Sequence, residues 1–310
     1  MPDSPLVSII MNCYNGEDFL KGSIDSVFNQ TYSNWEIIFW DNASTDDSYK
    51  IAHAYGPKIK LYQSEINTSL GKARSEAIKK ANGEWLAFLD VDDIWLPNKL
   101  SSQILGLSGT EHIMSYGGIQ EVDEGLSIIN TLKPKWKTGF QLFSQLIYFE
   151  INLVTSMINH KKLLDLNLDF DERMQASEEY NLFMRLLPHG SVFVCEEILA
   201  LYRVHTGSLT YKKMDRWSIE RRITLNQILE KRPEIIDSKE FNIASQQADY
   251  YEASYLMISG EAKKARNLIG RHNSRPVFKI LYFLTYLPLV WKILHEPRLK
   301  KRLTSFFKIS

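Results

Sequence analysis

Cysteine is nearly absent: Cys13 and Cys195 are the two in 310 residues, far apart and each in apolar surroundings. They allow no disulfide framework and no zinc spacing, which fits free buried thiols in a reducing compartment. Net charge is missing as well, with 37 Lys or Arg against 37 Asp or Glu. A Gly-rich phosphate loop is lacking near the start, where Asn15-Gly16 stands alone, and so are the motifs of nucleic-acid recognition. The first residues, Met-Pro-Asp-Ser-Pro, run straight into an apolar stretch, so no signal peptide is expected. Nor does the uncharged run Ile280 to Trp291 suffice to cross a bilayer, which takes roughly 20 apolar residues; Pro288 also interrupts it. What remains is an ordinary globular composition, 44% hydrophobic and 24% charged, sized for one large domain or a domain with a helical appendage.

The zero net charge hides an asymmetry. Residues 261–310 carry twelve Lys or Arg against Glu261 and Glu296, a net +10, so the rest of the chain is at −10. An acidic body with a basic, apolar tail is what an enzyme docked on an anionic membrane face would show.

Leu6 to Cys13 is a continuous apolar run rich in β-branched residues and stops at the turn-forming Asn15-Gly16. It predicts a fully buried parallel strand. Glu17 to Gln30 places Phe19, Leu20, Ile24, Val27 and Phe28 at helical spacing. Trp35 to Asp41 predicts a second strand ending in an acid, with Ser44 as N-cap of a helix running through Ala54. Ile59 to Tyr62, a helix over Ser69 to Ala81 and a strand over Glu84 to Leu89 continue the alternation. Strand–helix alternation implies a parallel sheet with right-handed crossovers, whose ligands lie beyond the carboxyl ends of the strands. Asp41, Asp90, Asp92 and Asp93 fall at those ends. Like charges gathered on one rim call for a shared cation or polar ligand.

At this point the residues resemble the glycosyltransferase family 2 enzymes. The matching pieces are Val7 to Gly16, Gln30 to Ile38 leading into Asp41 to Asp46, Gly71-Lys72-Ala73-Arg74, Gly83 to Asp93, Ser177 to Leu186, and Tyr202-Arg203-Val204-His205. The resemblance implies a GT-A, Rossmann-like α/β fold: a mostly parallel sheet flanked by helices in residues 1–210, followed by an α-helical region, 211–310. It also implies a donor site, with Asn12, Tyr14, Asp41, Asp90 and Arg203 on a nucleotide sugar, UDP-linked above others, and Arg74 beside Asp41. A Mn²⁺ or Mg²⁺ ion on Asp92, with Asp93 and His205 as further candidates, would bridge the diphosphate. Asp93 is open to a second reading, as N-cap of the helix near Pro97 or as support for a ligand.

Ser177 to Leu187 is the second chemical centre. Ser177 is expected to cap a helix whose first turn carries Glu178 and Glu179, where carboxylates favour the positive helix end. By the resemblance, the second acid deprotonates the acceptor hydroxyl; Glu179 stands where the family has Asp, and Glu178 is the alternative. Neighbouring helix residues diverge by about 100°, so one glutamate is expected to face the substrate.

Elsewhere, strands are expected over His112 to Ile119 and Leu153 to Ile158, and helices over Gly139 to Phe149, Trp217 to Glu230, Phe241 to Ile258 and Ala262 to Ile269. Trp136, within Lys133-Pro134-Lys135-Trp136-Lys137, either stacks on a sugar or pins a loop. Val277 to Lys292 fits an interfacial segment or a packed helix. The expected activity is metal-dependent, inverting transfer of a sugar to a glycan or lipid-linked acceptor in surface polysaccharide synthesis. The enzyme would be cytoplasmic and peripheral on the inner membrane face, bind no nucleic acid and be compatible with homo-oligomers. The alternatives are a nucleotidyltransferase or a non-catalytic relative that binds a nucleotide sugar or a partner.

Overall fold

A computed structural model describes residues 4–204, 213–272 and 275–295. The chain separates into two compact units, Met1–Ser208 and Leu209–Ser310.

The first unit is built on a nine-stranded mixed sheet. In chain order its elements are β1 (Val7–Cys13), α1 (Glu17–Phe28), β2 (Trp35–Asp41), α2 (Ser48–His53), β3 (Ile59–Gln63), α3 (Leu70–Ile78), β4 (Trp85–Phe88), β5 (Ile94–Trp95) and α4 (Lys99–Leu107). Then come β6 (Met114–Val122), β7 (Ile128–Leu132), α5 (Leu142–Ile147), β8 (Met157–Asn159), α6 (His160–Asp165), α7 (Glu178–Leu186) and β9 (Val192–Arg203). The sheet order is β3-β2-β1-β4-β8-β6-β9-β5, with β7 on β6. Strands β3, β2, β1 and β4 form a parallel ladder, while β8 runs antiparallel to both β4 and β6.

Every residue of β1 is buried, as an apolar run covered on both faces requires. Each fully buried Ile or Leu contributes roughly 1.5–3 kcal/mol, and Ile9, Ile37, Phe39 and Ala87 join one core cluster across the ladder. Where the ladder begins, Gly83 N donates to Ser8 Oγ (2.8 Å), whose hydroxyl donates to Glu36 Oε1 (2.6 Å). A Cβ on Gly83 would stand 2.4 Å from Ser8 N, so glycine is what lets β4 approach β1 here.

Several local expectations change. The helix after β2 starts at Ser48, and Ser44 is not its cap; the Ser44 hydroxyl instead accepts from Asn15 N (3.0 Å). Ser177 sits at the cap position of α7 but its side chain makes no capping bond. The segment expected as a strand over Leu153 to Ile158 begins as a 3-10 turn, Leu153–Thr155, before β8. Strand β7, joined to β6 by a turn in which Asp123 Oδ1 accepts from Ser127 N (2.8 Å), had no sequence signal of its own. Trp136 pins a loop, its indole N–H donating to Tyr148 O (3.0 Å).

The second unit is helical: α8 (Met214–Lys231), α9 (Lys239–Ile258), α10 (Ala262–Gly270), α11 (Pro276–Leu284) and α12 (Pro288–His295). Gly260, at φ +83°, takes the left-handed turn that ends α9. Ala253, Met257, Ala265, Ile269, Phe278 and Trp291 form its core. Pro288 opens α12 rather than kinking one long helix, and among the described residues no helix is long and apolar enough to cross a membrane.

Candidate active site

The residues after β4 form a tight turn, with Asp93 N bonded to Asp90 O (3.1 Å). Two elements clamp it. The Ser23 hydroxyl of α1 lies 2.6 Å from the carbonyls of Val91 and Asp93. At the end of β9, Arg203 N donates to Asp93 Oδ1 (2.8 Å), and its guanidinium donates to Asp92 O (2.8 Å) and to the Glu124 carbonyl. Gly16 packs on the same turn, since a Cβ there would meet Val91 Cγ2 at 2.7 Å.

This clamp divides the acids. Asp93 is 2% exposed and faces the Arg203 amide. Burial, then the nearby Asp92 and Asp90, hold its carboxyl well above the usual carboxylate range. It does not cap the following helix, whose N-cap is Asn98; it supports the turn from inside. Asp90 and Asp92 remain half-buried at the rim. Arg203, expected on the donor diphosphate, is 6% exposed, bonded to backbone carbonyls and 4.5 Å from the Phe19 ring centre. It fastens the acid turn. His205 lies outside the described residues.

Arg74 of α3 brings the second centre in. It is buried, and its guanidinium binds Asp90 (2.8 and 3.1 Å) and Glu178 Oε1 (3.0 Å), 104 residues further along the chain. Its ion pairs go to these two acids and not to Asp41, beside which it was expected. Burial works against its charge, but Asp90, Glu178 and Glu179 outweigh it and raise its pKa. Ser75, the next residue, donates to Asp169 Oδ1 (2.6 Å) and so ties α3 to the segment leading into α7.

Glu178 is thus committed to Arg74, while the neighbouring Glu179 stays half-buried. Burial, then Glu178, push the Glu179 carboxyl up to about 8 against the opposing pull of Arg74. A carboxylate poised there can take a proton near neutral pH. Tyr202, to which the sequence reading gave no role, belongs to this group: burial, then Asp93, Asp90, Asp92 and Glu179, raise its phenol pKa. Its neighbour Arg203 was the visible signal.

At the ends of β1 and β2, Asp41 is fully buried, accepting from Ser44 N (3.0 Å) and Gln63 Nε2 (2.8 Å). Asn12 is 8% exposed, and both polar atoms of its amide lack a partner. Buried amides are normally bonded, so this one suits a ligand edge offering both a donor and an acceptor. Tyr14, two residues further on, is 54% exposed.

Among the described residues no three His, Cys, Asp or Glu stand close enough to form a metal cluster. An octahedral Mg²⁺-like ion needs no such cage, because it binds through one or two carboxylates plus substrate phosphates. Asp92, half-buried at the rim, fits that role, whereas the Asp93 carboxylate faces inward.

The pattern of glycosyl transferase family 2 matches residues 8–162. An uncharacterized glycosyltransferase of Rickettsia typhi is 34% identical over 67% of this chain and 66% of its own length. The Escherichia coli enzyme WfgD, a UDP-Glc:α-D-GlcNAc-diphosphoundecaprenol β-1,3-glucosyltransferase, is 31% identical over 68% of this chain and 82% of its own. The chain belongs to glycosyltransferase family 2. In fold the family member resembles S. aureus TarS, solved with UDP-GlcNAc (TM-score 0.61, 20% identity, 81% of this chain, 71% of that one). It also resembles the mannosyltransferase PcManGT of Pyrobaculum calidifontis, solved with GDP-Man and Mn²⁺ (TM-score 0.56, 14% identity, 96% and 88%). The α/β sheet with a helical C-terminal region is the GT-A arrangement of those neighbours. The chain spans 66% of the length of the rickettsial relative.

Proposed function

We propose that the chain is a metal-dependent, inverting transferase that moves a sugar from a UDP-sugar to a hydroxyl of a lipid-linked saccharide in surface polysaccharide assembly. The observation that carries this reading is the Arg74 bridge, which holds the acid turn of β4 and the glutamates of α7 in one site. Asn12 and Tyr14 would meet the donor, Asp41 its uracil or ribose, and Asp90 the ribose. Glu179 would take the proton of the acceptor hydroxyl as its oxygen bonds to the anomeric carbon. The anomeric C–O bond to the diphosphate breaks on the opposite face, and the nucleoside diphosphate leaves with the electron pair. A Mn²⁺ or Mg²⁺ ion on Asp92 would supply Lewis-acid stabilisation of the diphosphate charge.

The diphosphoundecaprenol acceptor named for WfgD supports the acceptor class, and Mn²⁺ with GDP-Man in PcManGT supports the metal. For the second unit we infer peripheral contact with an anionic membrane. Ile280, Phe283 and Leu289 are 62%, 70% and 78% exposed on α11 and α12, within a stretch of net charge +10. Exposed apolar side chains flanked by bases match an anionic lipid surface.

The test is release of UDP from UDP-sugars with Mn²⁺ and a diphospholipid-linked sugar, by wild type, Glu179→Gln and Asp92→Asn. Loss of a proton acceptor lowers turnover by about 10²–10⁴-fold. Turnover by wild type that both variants retain would overturn the assignment, and no turnover with any donor would overturn the transferase reading. Deleting residues 275–310 should abolish sedimentation with anionic vesicles; unchanged sedimentation rejects the membrane contact.

A further inference from the structure

Away from the acid turn, the first unit contains a cavity of about 410 Å³ between β6, the segment after β7 and residues 148–152, within the range of small-molecule sites. It is a built feature. Glu150 holds the segment after β7 by accepting from Lys135 N (2.9 Å) and Trp136 N (3.0 Å), and its Oε1 also accepts from Tyr116 OH (2.7 Å). With those donors on it, the one carboxylate of the lining is turned to the frame. The charge offered to a ligand comes from Lys133 and Lys135, both exposed; the Lys135 ammonium stands 4.0 Å over the Tyr148 ring.

Two further features flank the lysines. On one side, Phe149 packs edge-on against Tyr180, ring centres 4.9 Å apart, and Tyr180 follows Glu179 in α7. The cavity wall is therefore one ring away from the turn that carries the base. On the other side, β7 is exposed along its length, and Ile128 and Leu132, on one face at the strand's two-residue period, are 60% and 43% exposed. The series runs from an apolar strand through two ammonium groups and an aromatic ring to a carboxylate.

We propose that this cavity is the acceptor subsite and that its ligand is an amphiphile with a diphosphate between an apolar chain and a sugar. The chain lies along β7, Lys133 and Lys135 hold the diphosphate, and the sugar ring packs on Tyr148 with its hydroxyl toward Glu179. This deepens the transferase reading and rests on it.

The test uses the full chain, a UDP-sugar, Mn²⁺ and two acceptors bearing the same sugar: decyl diphospho-N-acetylglucosamine and the neutral decyl glycoside of N-acetylglucosamine. Because charge-assisted hydrogen bonds are the stronger kind, Lys133→Ala with Lys135→Ala should raise KM for the diphosphate acceptor by at least about tenfold. KM for the donor and KM for the neutral glycoside should stay as in wild type. Tyr148→Ala should raise KM for both acceptors. A double lysine variant with unchanged acceptor KM, or with a raised donor KM, overturns the subsite. If wild type turns over no donor, the transferase reading fails separately, and titration with decyl diphospho-N-acetylglucosamine decides the cavity: binding lost in the double variant upholds it, and equal binding rejects it. Competition by inorganic pyrophosphate and by UDP separates a bare diphosphate from a second donor site; displacement by UDP at its donor-site affinity would overturn the assignment.

Discussion

Replacing Arg74 with Met would test the bridge on which the site depends. Methionine fills much of the same volume without charge, so the loss is electrostatic. The substitution strands Glu178, whose side chain is 9% exposed, whereas Asp90, at 37%, is screened by water. Removing one partner of a buried ion pair costs roughly 3–5 kcal/mol, because the other charge is left unpaired. At about 2–4 °C per kcal/mol for a unit of this size, Tm should fall by on the order of 10 °C. Thermal melts of both proteins read this directly. A loss under about 2 °C would refute the argument that Arg74 stabilises the fold by pairing with Glu178 and Asp90.

Other perturbations follow the same reasoning. Glu179, raised to about 8, should give kcat/KM an acidic limb that climbs with pH toward that value. Stability should move the other way: above the unfolded pKa the folded state holds a proton the unfolded chain has released, so stability declines as pH rises through the window up to about 8. Glu179→Gln should flatten that decline in pH-dependent melts. Lys99 is fully buried, its ammonium without a hydrogen-bond partner and 3.9 Å from the Trp95 ring centre, and burial pulls its pKa well below the usual value. The unfolded chain therefore binds the extra proton up to about pH 10, so Lys99→Met should stabilise the protein by about 1–3 kcal/mol at pH 7 in urea unfolding, with the gain shrinking as pH rises. Gly83→Ala forces a Cβ to 2.4 Å from the Ser8 backbone and should cost at least about 1–3 kcal/mol in the same assay.

How much could be read from the sequence depended on the range of the interaction. β1, β2 and β4 were visible because a strand buried on both faces must be a continuous apolar run, and each ends where its polar residues begin. The rim position of Asp90 and Asp92 followed from that. Their neighbour Asp93 could not be separated from them, because what draws it inward is an amide 110 residues away. Arg74 was visible as a motif residue, but its partners depend on how α3 and α7 pack, which no local pattern encodes. The caps expected at Ser44 and Ser177 failed for a related reason: at Ser44 the tertiary bond to Asn15 N took the hydroxyl that a helix end would use. The cavity beside β7 lies in a hairpin whose exposed strand carries little periodic signal.

The sheet's change of direction between β4 and β8 has an evolutionary consequence. The residues proposed for the nucleotide sit on the parallel strands up to β4 or follow them, while Glu179 and the cavity belong to segments after it, and the buried Arg74 guanidinium is among the links between the two groups. Under the proposed assignment, acceptor preference would change through residues after β4 while Arg74 and its two acids stay in place. A new acceptor would then not require the parallel half of the sheet to be rebuilt.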